Sequence, residues 1–135
     1  NAGLLVSQVN YLKHSEDKNF AVVDAAMNDM LRPSLYGAWL DIIRVDRTSH
    51  QPMKQYDIVG AICESSDFLG KNRDLAIAQN DLLAIRSAGA YGFSMASNYN
   101  SRNRAAEVMV DGDKHYCVRD REVFENQIKG ESVLP

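Results

Sequence analysis

The stretch 4–12 reads Leu-Leu-Val-Ser-Gln-Val-Asn-Tyr-Leu, in which β-forming residues roughly alternate with polar ones. A period of two is typical of a strand with one buried face. A second run of this kind, 19–25, follows the polar turn 14–18, so we predict that the two strands are antiparallel. Three further runs also favour strands, namely 39–45, 56–63 and 82–86. The polar residues 46–52 are predicted to form an exposed loop.

Turn and helix signals complete the predicted fold. Asp111-Gly112 lies between β-forming residues and predicts a tight hairpin whose two central residues take positive φ. Pro33 is placed to open a short helix, and a last short helix is predicted over 120–128, with Asp120 as its N-cap and Gly130 as its stop. About six or seven strands and no long helix predict a mainly β, Greek-key-like barrel or sandwich with short helices.

The bulk properties narrow the class of protein. A chain of 135 residues suits one domain, which we place at 1–135. A net charge of −3 argues against nucleic-acid binding, and no apolar run approaches the roughly 18 residues of a membrane helix. Two cysteines without a dense framework favour a reducing compartment and give no reason to expect zinc. The start at Asn1, without methionine or leader, suggests a piece of something longer.

The stretch 62–70, Ile-Cys-Glu-Ser-Ser-Asp-Phe-Leu-Gly, sets a thiol beside a carboxylate where an apolar strand runs into a polar turn. A lone cysteine on an apolar strand is more often a buried structural thiol. Glu64 shifts that balance, because an unpaired carboxylate is costly to bury, so this strand end is expected to face solvent, a cleft or a partner. A thiol such as Cys63 can give or take a proton there.

Two further segments carry candidate binding residues. Arg32 and Tyr36 lie four apart, which on one helical turn places a guanidinium and a phenol on the same side, where they can clamp a carboxylate. A surface arginine over a packed aromatic is an equally good interpretation. Tyr91 stands between Gly89 and Gly92, which either lets the backbone approach a ligand or simply makes a tight turn.

In this order, three segments closely resemble the C-terminal part of the diaminopimelate decarboxylase family: Met-Asn-Asp at 27–29 running into Leu-Arg-Pro-Ser-Leu-Tyr at 31–36, Cys-Glu-Ser at 63–65 with Asp67 and Gly70, and Ala-Gly-Ala-Tyr-Gly-Phe at 88–93. The resemblance covers nearly the whole chain. It implies a cytoplasmic homodimeric enzyme in which a pyridoxal-phosphate barrel domain precedes a β-rich domain. This chain corresponds to the β-rich domain, so the lysine that carries the cofactor belongs to the missing barrel.

The resemblance also implies roles for individual residues. Pyridoxal phosphate serves as an electron sink while carbon dioxide leaves, and Cys63 would then donate the proton. Glu64 would take the distal ammonium of meso-diaminopimelate, Arg32 with Tyr36 would take its distal carboxylate, and Tyr91 would contact the cofactor or substrate. The family forms L-lysine, and its site is completed by a neighbouring subunit. The fragment alone is therefore expected to be inactive.

Three alternatives stand beside this reading. Related ornithine and arginine decarboxylases typically follow the cysteine with aspartate, and their substrates lack a distal carboxylate for Arg32. A non-catalytic β-module for dimerisation or regulation would lack a competent barrel, so the upstream sequence discriminates it. A cysteine hydrolase needs a general base near Cys63, and the nearest histidine, His50, lies in the predicted loop, which disfavours that class.

Overall fold

The computed structural model describes residues 2–134. Two compact units make up the chain, Asn1–Ala96 and Ser97–Pro135. The first contains β1 (Leu4–His14), β2 (Asn19–Val23), α1 (Arg32–Tyr36), β3 (Ile42–Arg44), β4 (Lys54–Val59), β5 (Phe68–Leu75), β6 (Leu82–Arg86) and a 3₁₀ turn, Phe93–Met95. The second contains a 3₁₀ turn (Tyr99–Ser101), β7 (Glu107–Asp111), β8 (Lys114–Arg119) and α2 (Phe124–Gln127). A single domain over 1–135 stays a prediction.

The first unit is one six-stranded sheet in the order β3-β6-β1-β2-β4-β5. Strands β1 and β2 pair antiparallel, as predicted, whereas β2 and β4 run parallel. Parallel neighbours need a long crossover, and the connection 24–53 supplies it with α1 and β3. The edge strands β3 and β5 lie against each other, so the sheet is nearly closed. The prediction of a mainly β, barrel-like domain with short helices is confirmed.

The core of this unit follows from the alternation of side chains along its strands. Every second residue is buried over part of β1 and β2, whereas β4 and β6 each bury three consecutive residues. The buried side chains of these strands are apolar except Ser7 and Asp57. Each buried aliphatic side chain stabilises the fold by about 1.5–3 kcal/mol relative to an exposed one. The largest fully buried apolar side chains are Val9, Val23, Met30, Ile58, Leu69, Leu83 and Ile85.

The first two predicted strands differ from the structure by two residues at their ends, and three larger corrections are needed. The strand predicted over 39–45 is only Ile42–Arg44, and the one predicted over 56–63 is Lys54–Val59, so it ends before the cysteine. Strand β5, Phe68–Leu75, was not predicted, because residues 71–74 read Lys-Asn-Arg-Asp. Three of those polar side chains point outward, and the fourth, Arg73, is buried with its guanidinium 4.4 Å from the ring centroid of Trp39.

In the second unit the predicted hairpin exists, but its turn is shifted by one residue. Asp111 pairs with Lys114, so the central residues are Gly112 and Asp113. Only Gly112 has a positive φ, 60°, which is the pattern of a turn with glycine first rather than one with two positive φ values. The predicted hairpin is therefore confirmed and its predicted turn residues are wrong.

The predicted helix over 120–128 shrinks to Phe124–Gln127, and Asp120 is not its N-cap. Val123 occupies the N-cap position, and its backbone N–H donates to Oδ1 of Asn126 at 2.8 Å. A valine has no side-chain acceptor for the first helical N–H groups, so this helix begins without the predicted cap. Gly130, with φ of 95°, follows it as expected.

Candidate functional site

Cys63 and Glu64 lie on the connection between β4 and β5, residues 60–67, and both side chains are exposed. They are therefore on a loop and not at the end of a strand. Ile62, just before them, is 6% exposed and anchors the loop in the core. The expectation that this segment faces solvent or a partner is consistent with the exposure, and Cys63 is not the buried structural thiol of the alternative interpretation.

Asp67 fixes the shape of this loop. Its Oδ2 accepts the N–H of Ile62 at 2.7 Å, and its backbone oxygen accepts the N–H of Gly60 at 3.3 Å. Its own N–H donates to the backbone carbonyl of Glu64 at 3.0 Å. Gly60 must be glycine, because a Cβ there would lie 2.6 Å from the Cα of Ala26 and also too close to Asp67. The thiol and carboxylate thus project from a loop that is closed on itself.

Helix α1 has residues at both ends that favour the start and the end of a helix. Pro33 stands in its first turn, where the missing N–H costs nothing. Gly37 ends it with a left-handed φ of 62°, and its N–H donates to the carbonyl of Pro33 at 3.0 Å. The prediction that Pro33 opens a short helix is confirmed.

The helix carries Arg32 and Tyr36 at its first and last residues. The guanidinium of Arg32 lies 5.2 Å from the ring centroid of Tyr91, a cation–π distance, so two of the predicted site residues meet. Tyr36 is 66% exposed and does not pack in the core, which removes the packed-aromatic interpretation for it. Arg32 is half-buried and is held by Tyr91 instead.

The turn that carries Tyr91 owes its glycines to packing within the chain. The N–H of Gly89 donates to the carbonyl of Ala2 at 2.6 Å, and a Cβ on Gly89 would lie 2.8 Å from the Ala2 carbonyl carbon. Gly92 is buried against the carbonyl of Ala88. The tight-turn interpretation therefore holds for both glycines, while the Tyr91 side chain is 53% exposed and stands clear of the turn.

The loop and the helix are joined by hydrogen bonds. The hydroxyl of Ser34, on α1, donates to the carbonyl of Ser66, on the loop. Oδ1 of Asp67 accepts the N–H of Met27, in the turn that leads into α1, at 2.7 Å. The structure therefore brings the segment with Cys63 and Glu64 against the segment with Arg32 and Tyr36.

No role was predicted for Ser34, Ser66 and Asp67, although they lie within the segments 31–36 and 62–70 that contain the candidate residues. An aspartate that follows a turn and precedes a strand is a signal for side-chain capping of the turn, and it could have identified Asp67. The partner of Ser34, which is Ser66, and the second partner of Asp67, which is Met27, are far away in sequence, so no local signal identifies them.

The site presents a thiol, a carboxylate, a guanidinium and two phenols on one unit. These groups can exchange protons and can bind an ammonium and a carboxylate. Within residues 2–134 no group of three His, Cys, Asp or Glu side chains could hold a metal ion, and no helix is long and apolar enough to cross a membrane.

Comparison with known proteins places this unit in a family. Residues 1–89 match the family described as pyridoxal-dependent decarboxylase, C-terminal sheet domain. The chain belongs to this family of pyridoxal-dependent decarboxylases. The family match ends within the first unit and includes Arg32, Tyr36, Cys63 and Glu64, but stops two residues before Tyr91.

Curated relatives of this decarboxylase domain extend over the whole chain. The chain is 59% identical to the diaminopimelate decarboxylase of Pseudomonas aeruginosa over 135 residues, which is 100% of the chain and 32% of the relative. Identity to the diaminopimelate decarboxylase of Vibrio cholerae is 60%, with the same coverage. The chain thus spans about a third of the length of the curated relatives it matches.

Solved structures agree with the fold of the decarboxylase domain. Diaminopimelate decarboxylase from M. jannaschii has a TM-score of 0.92 at 36% identity, covering 98% of this chain and 30% of that one. The Helicobacter pylori enzyme, complexed with L-lysine, has a TM-score of 0.85 at 42% identity, covering 93% and 31%. A lysine/ornithine decarboxylase from Vibrio vulnificus reaches 0.64 at 20% identity, covering 74% and 27%, which shows the fold alone.

Proposed function

We propose that this chain is the substrate-binding and dimerisation part of a diaminopimelate decarboxylase, which converts meso-diaminopimelate to L-lysine and carbon dioxide. One observation carries the proposal. An exposed Cys63-Glu64 pair is hydrogen-bonded, through its loop, to the segment that presents Arg32 and Tyr36. The names of the relatives support the choice of reaction, and the chain, about a third of their length, acts only within the full-length protein.

The substrate named in this proposal has an ammonium and a carboxylate at the end that does not react. Glu64 provides a negative charge for the ammonium, and Arg32 provides a planar fork of donors for the carboxylate. Tyr36, largely exposed on the same helix, adds a phenol donor. A site with a partner for each charge rejects diamines and amino acids that lack one of them, because its own charges are then left unpaired.

Cys63 is the proton donor in this proposal. Pyridoxal phosphate, when bound, withdraws electrons from the substrate carbon that loses carbon dioxide. The proton that replaces the carboxylate comes from Sγ of Cys63, which is exposed on its loop and free of disulfide bonding. Tyr91 contacts the cofactor or substrate, and its half-exposed phenol beside the Arg32 guanidinium suits a phosphorylated pyridine as neighbour.

The lysine that holds the cofactor is proposed to belong to the absent two thirds of the protein, together with the barrel. The enzyme is further proposed to be a cytoplasmic homodimer in which Cys63 and Glu64 enter the partner's site. Their exposure in the isolated domain supports this arrangement, since residues that complete another subunit's site must be uncovered within their own.

The test uses the full-length protein with pyridoxal phosphate. We expect release of carbon dioxide and L-lysine from meso-diaminopimelate, and little or no release of carbon dioxide from ornithine, arginine or lysine.

In Cys63→Ala we expect kcat to fall by about 100-fold or more with KM changed little, because the thiol acts only after carbon dioxide has left. Cys117→Ala is the matched control, as the second exposed free thiol. Unchanged turnover in Cys63→Ala would remove that residue from the mechanism.

A further inference from the structure

Asp67 is an almost fully buried carboxylate that bonds two separate segments. It is 4% exposed, and each of its oxygens accepts one backbone N–H. Oδ2 takes the N–H of Ile62, next to Cys63, and Oδ1 takes the N–H of Met27, both at 2.7 Å. The carboxylate is therefore a bridge between the loop 60–67 and the turn before α1.

The turn at the other end of this bridge is itself fixed. The N–H groups of Asp29 and Met30 donate to the carbonyl of Ala26 at 2.9 and 3.2 Å, and the N–H of Ala26 donates to Oδ2 of Asp29 at 2.9 Å. Met30 is 1% exposed and anchors the turn in the core. Because the turn is internally bonded and anchored, a bond from Asp67 to Met27 fixes the position of the loop.

Ser34 makes the second connection. It lies on α1 between Arg32 and Tyr36, and its hydroxyl donates to the carbonyl of Ser66. The same carbonyl accepts the N–H of Phe68, the first residue of β5, at 2.8 Å. The helix, the loop and the strand thus meet at one backbone oxygen.

We infer that Asp67 and Ser34 are positioning residues that hold the Cys63-Glu64 loop in a fixed relation to the Arg32-Tyr36 helix. The inference rests on the proposed function and deepens it. The loop is proposed to enter a partner's site, so its position on its own unit must be fixed, because a displacement of about 1 Å in such a site costs on the order of 100-fold in rate.

The chemistry of the two side chains sets the informative variants. Asn at 67 keeps one acceptor oxygen but turns an NH₂ toward the second N–H, so one bond is lost at nearly constant volume. Ala at 34 removes the hydroxyl, and Thr at 34 keeps it. The matched controls lie elsewhere in the same unit: Asp81→Asn, where the carboxylate also accepts a loop N–H at 2.7 Å, and Ser15→Ala, where the hydroxyl also donates to a backbone carbonyl.

The experiment measures activity and amide hydrogen exchange in the full-length protein. In Asp67→Asn we expect exchange in 60–67 to accelerate about tenfold or more, since a buried N–H loses its acceptor, and kcat to fall by about tenfold or more. Asp81→Asn should accelerate exchange around Ala78 and leave both kcat and the exchange of 60–67 unchanged. Ser34→Ala should lower kcat, Ser34→Thr should restore it, and Ser15→Ala should have no effect.

Each outcome decides one question. Accelerated exchange in Asp67→Asn with normal kcat and KM would overturn the positioning role, and unchanged exchange would show that Asp67 does not hold the loop. If Asp67→Asn does not fold, the comparison of Ser34→Ala with Ser34→Thr decides. If the unaltered protein does not decarboxylate meso-diaminopimelate, the proposed function fails, and exchange alone then tells whether Asp67 and Ser34 fix the loop.

Discussion

Gly60, the first residue of the loop 60–67, has no room for a side chain. A side chain there would press on Ala26 and on the carboxylate of Asp67, both of which are fixed by their own bonds. We expect Gly60→Ala to lower the free energy of unfolding of the first unit by about 1–3 kcal/mol through overpacking. Urea unfolding of the chain, followed by circular dichroism, measures it.

Gly37→Ala is the matched control for Gly60→Ala. Gly37 has a left-handed φ of 62°, but no atom lies within 4 Å of its Cβ position. Gly37→Ala should therefore lower the free energy of unfolding only by the strain of a left-handed backbone, about 1 kcal/mol. A loss for Gly60→Ala that is no larger than the loss for Gly37→Ala would contradict the close approach at the loop.

Glu64 allows a test of charge without a change of shape. Glu64→Gln keeps the size of the side chain and removes the charge proposed to meet the distal ammonium. In the full-length protein we expect kcat/KM for meso-diaminopimelate to fall by the factor that corresponds to about 2–5 kcal/mol, the cost of leaving a desolvated ammonium without its carboxylate partner. Steady-state assays at several salt concentrations measure it, and an unaltered substrate profile would reject the assigned role.

Single side chains were the part of the site that could be predicted. A thiol beside a carboxylate, and an arginine four residues before a tyrosine, are visible in the sequence because reactivity belongs to the residue type. The contact of Arg32 with Tyr91 was not visible, because the two residues are far apart in the sequence, with strands β3 to β6 between them along the chain.

Between elements, an ion pair with two hydrogen bonds joins β3 to the turn before β6. Arg44 donates to both carboxylate oxygens of Asp81, at 2.7 and 2.9 Å, and Asp81 also accepts the N–H of Ala78 at 2.7 Å. The hydrogen bond from Arg44 is the largest cause that lowers the pKa of Asp81; burial opposes it, and the Ala78 bond supports it. The two elements are thus held by a carboxylate that prefers to stay ionised.

The lowered pKa of Asp81 makes a prediction about acid stability. A group whose pKa is lower in the folded state contributes stability above its unfolded pKa, about 3.9 for aspartate, and loses it as pH falls through the folded value. We expect unfolding experiments between neutral pH and strong acid to show this loss below about pH 4. Asp81→Asn should be about 1.5–3 kcal/mol less stable at neutral pH and should lack that part of the acid dependence.

Asp41→Asn is the control for this pair. Asp41 bonds to Arg86 at 3.0 Å, but both side chains are more than a third exposed. Exposed pairs contribute about 0–1 kcal/mol, so we expect a small change. Equal losses of stability in Asp41→Asn and Asp81→Asn would show that the partial burial of Arg44 and Asp81 does not strengthen their ion pair.

The elements that could be predicted were those whose strand pattern is local. Strands β1, β2 and β6 and the hairpin of β7 and β8 agree with the predictions, because one face is apolar or the turn is marked by glycine. Strand β5 was missed because an arginine takes one of its inward positions and is covered by Trp39, so burial there does not follow apolar character.

On the scale of the whole chain, the two units differ in what they bury. All the core residues lie between Val9 and Ile85, whereas no residue of 97–134 is buried. The first unit therefore has a core of its own, and the second has a hairpin and a short helix without one.

This difference predicts how the units fold when separated. A fragment 1–96 should give a dispersed amide NMR spectrum, and a fragment 97–135 should not, because an isolated two-stranded hairpin is at best marginally stable in water. The chain 1–135 serves as reference for the positions of the folded signals. Dispersed signals from 97–135 alone would show that the second unit is stabilised by interactions other than a buried core.

The sequence by itself determined the strand-rich class of the fold, the short helix at Pro33, and the residue types that carry the proposed chemistry. These follow from local periodicity, from turn residues and from side-chain reactivity, each of which acts over a few neighbouring residues. Tertiary structure alone decided that β2 lies parallel to β4 and that Asp67 bonds to Met27, so that the loop with Cys63 lies against α1. The physical reason is that each of these bonds involves a backbone group, which every residue carries, and joins segments far apart in the sequence, so no local pattern marks the partner.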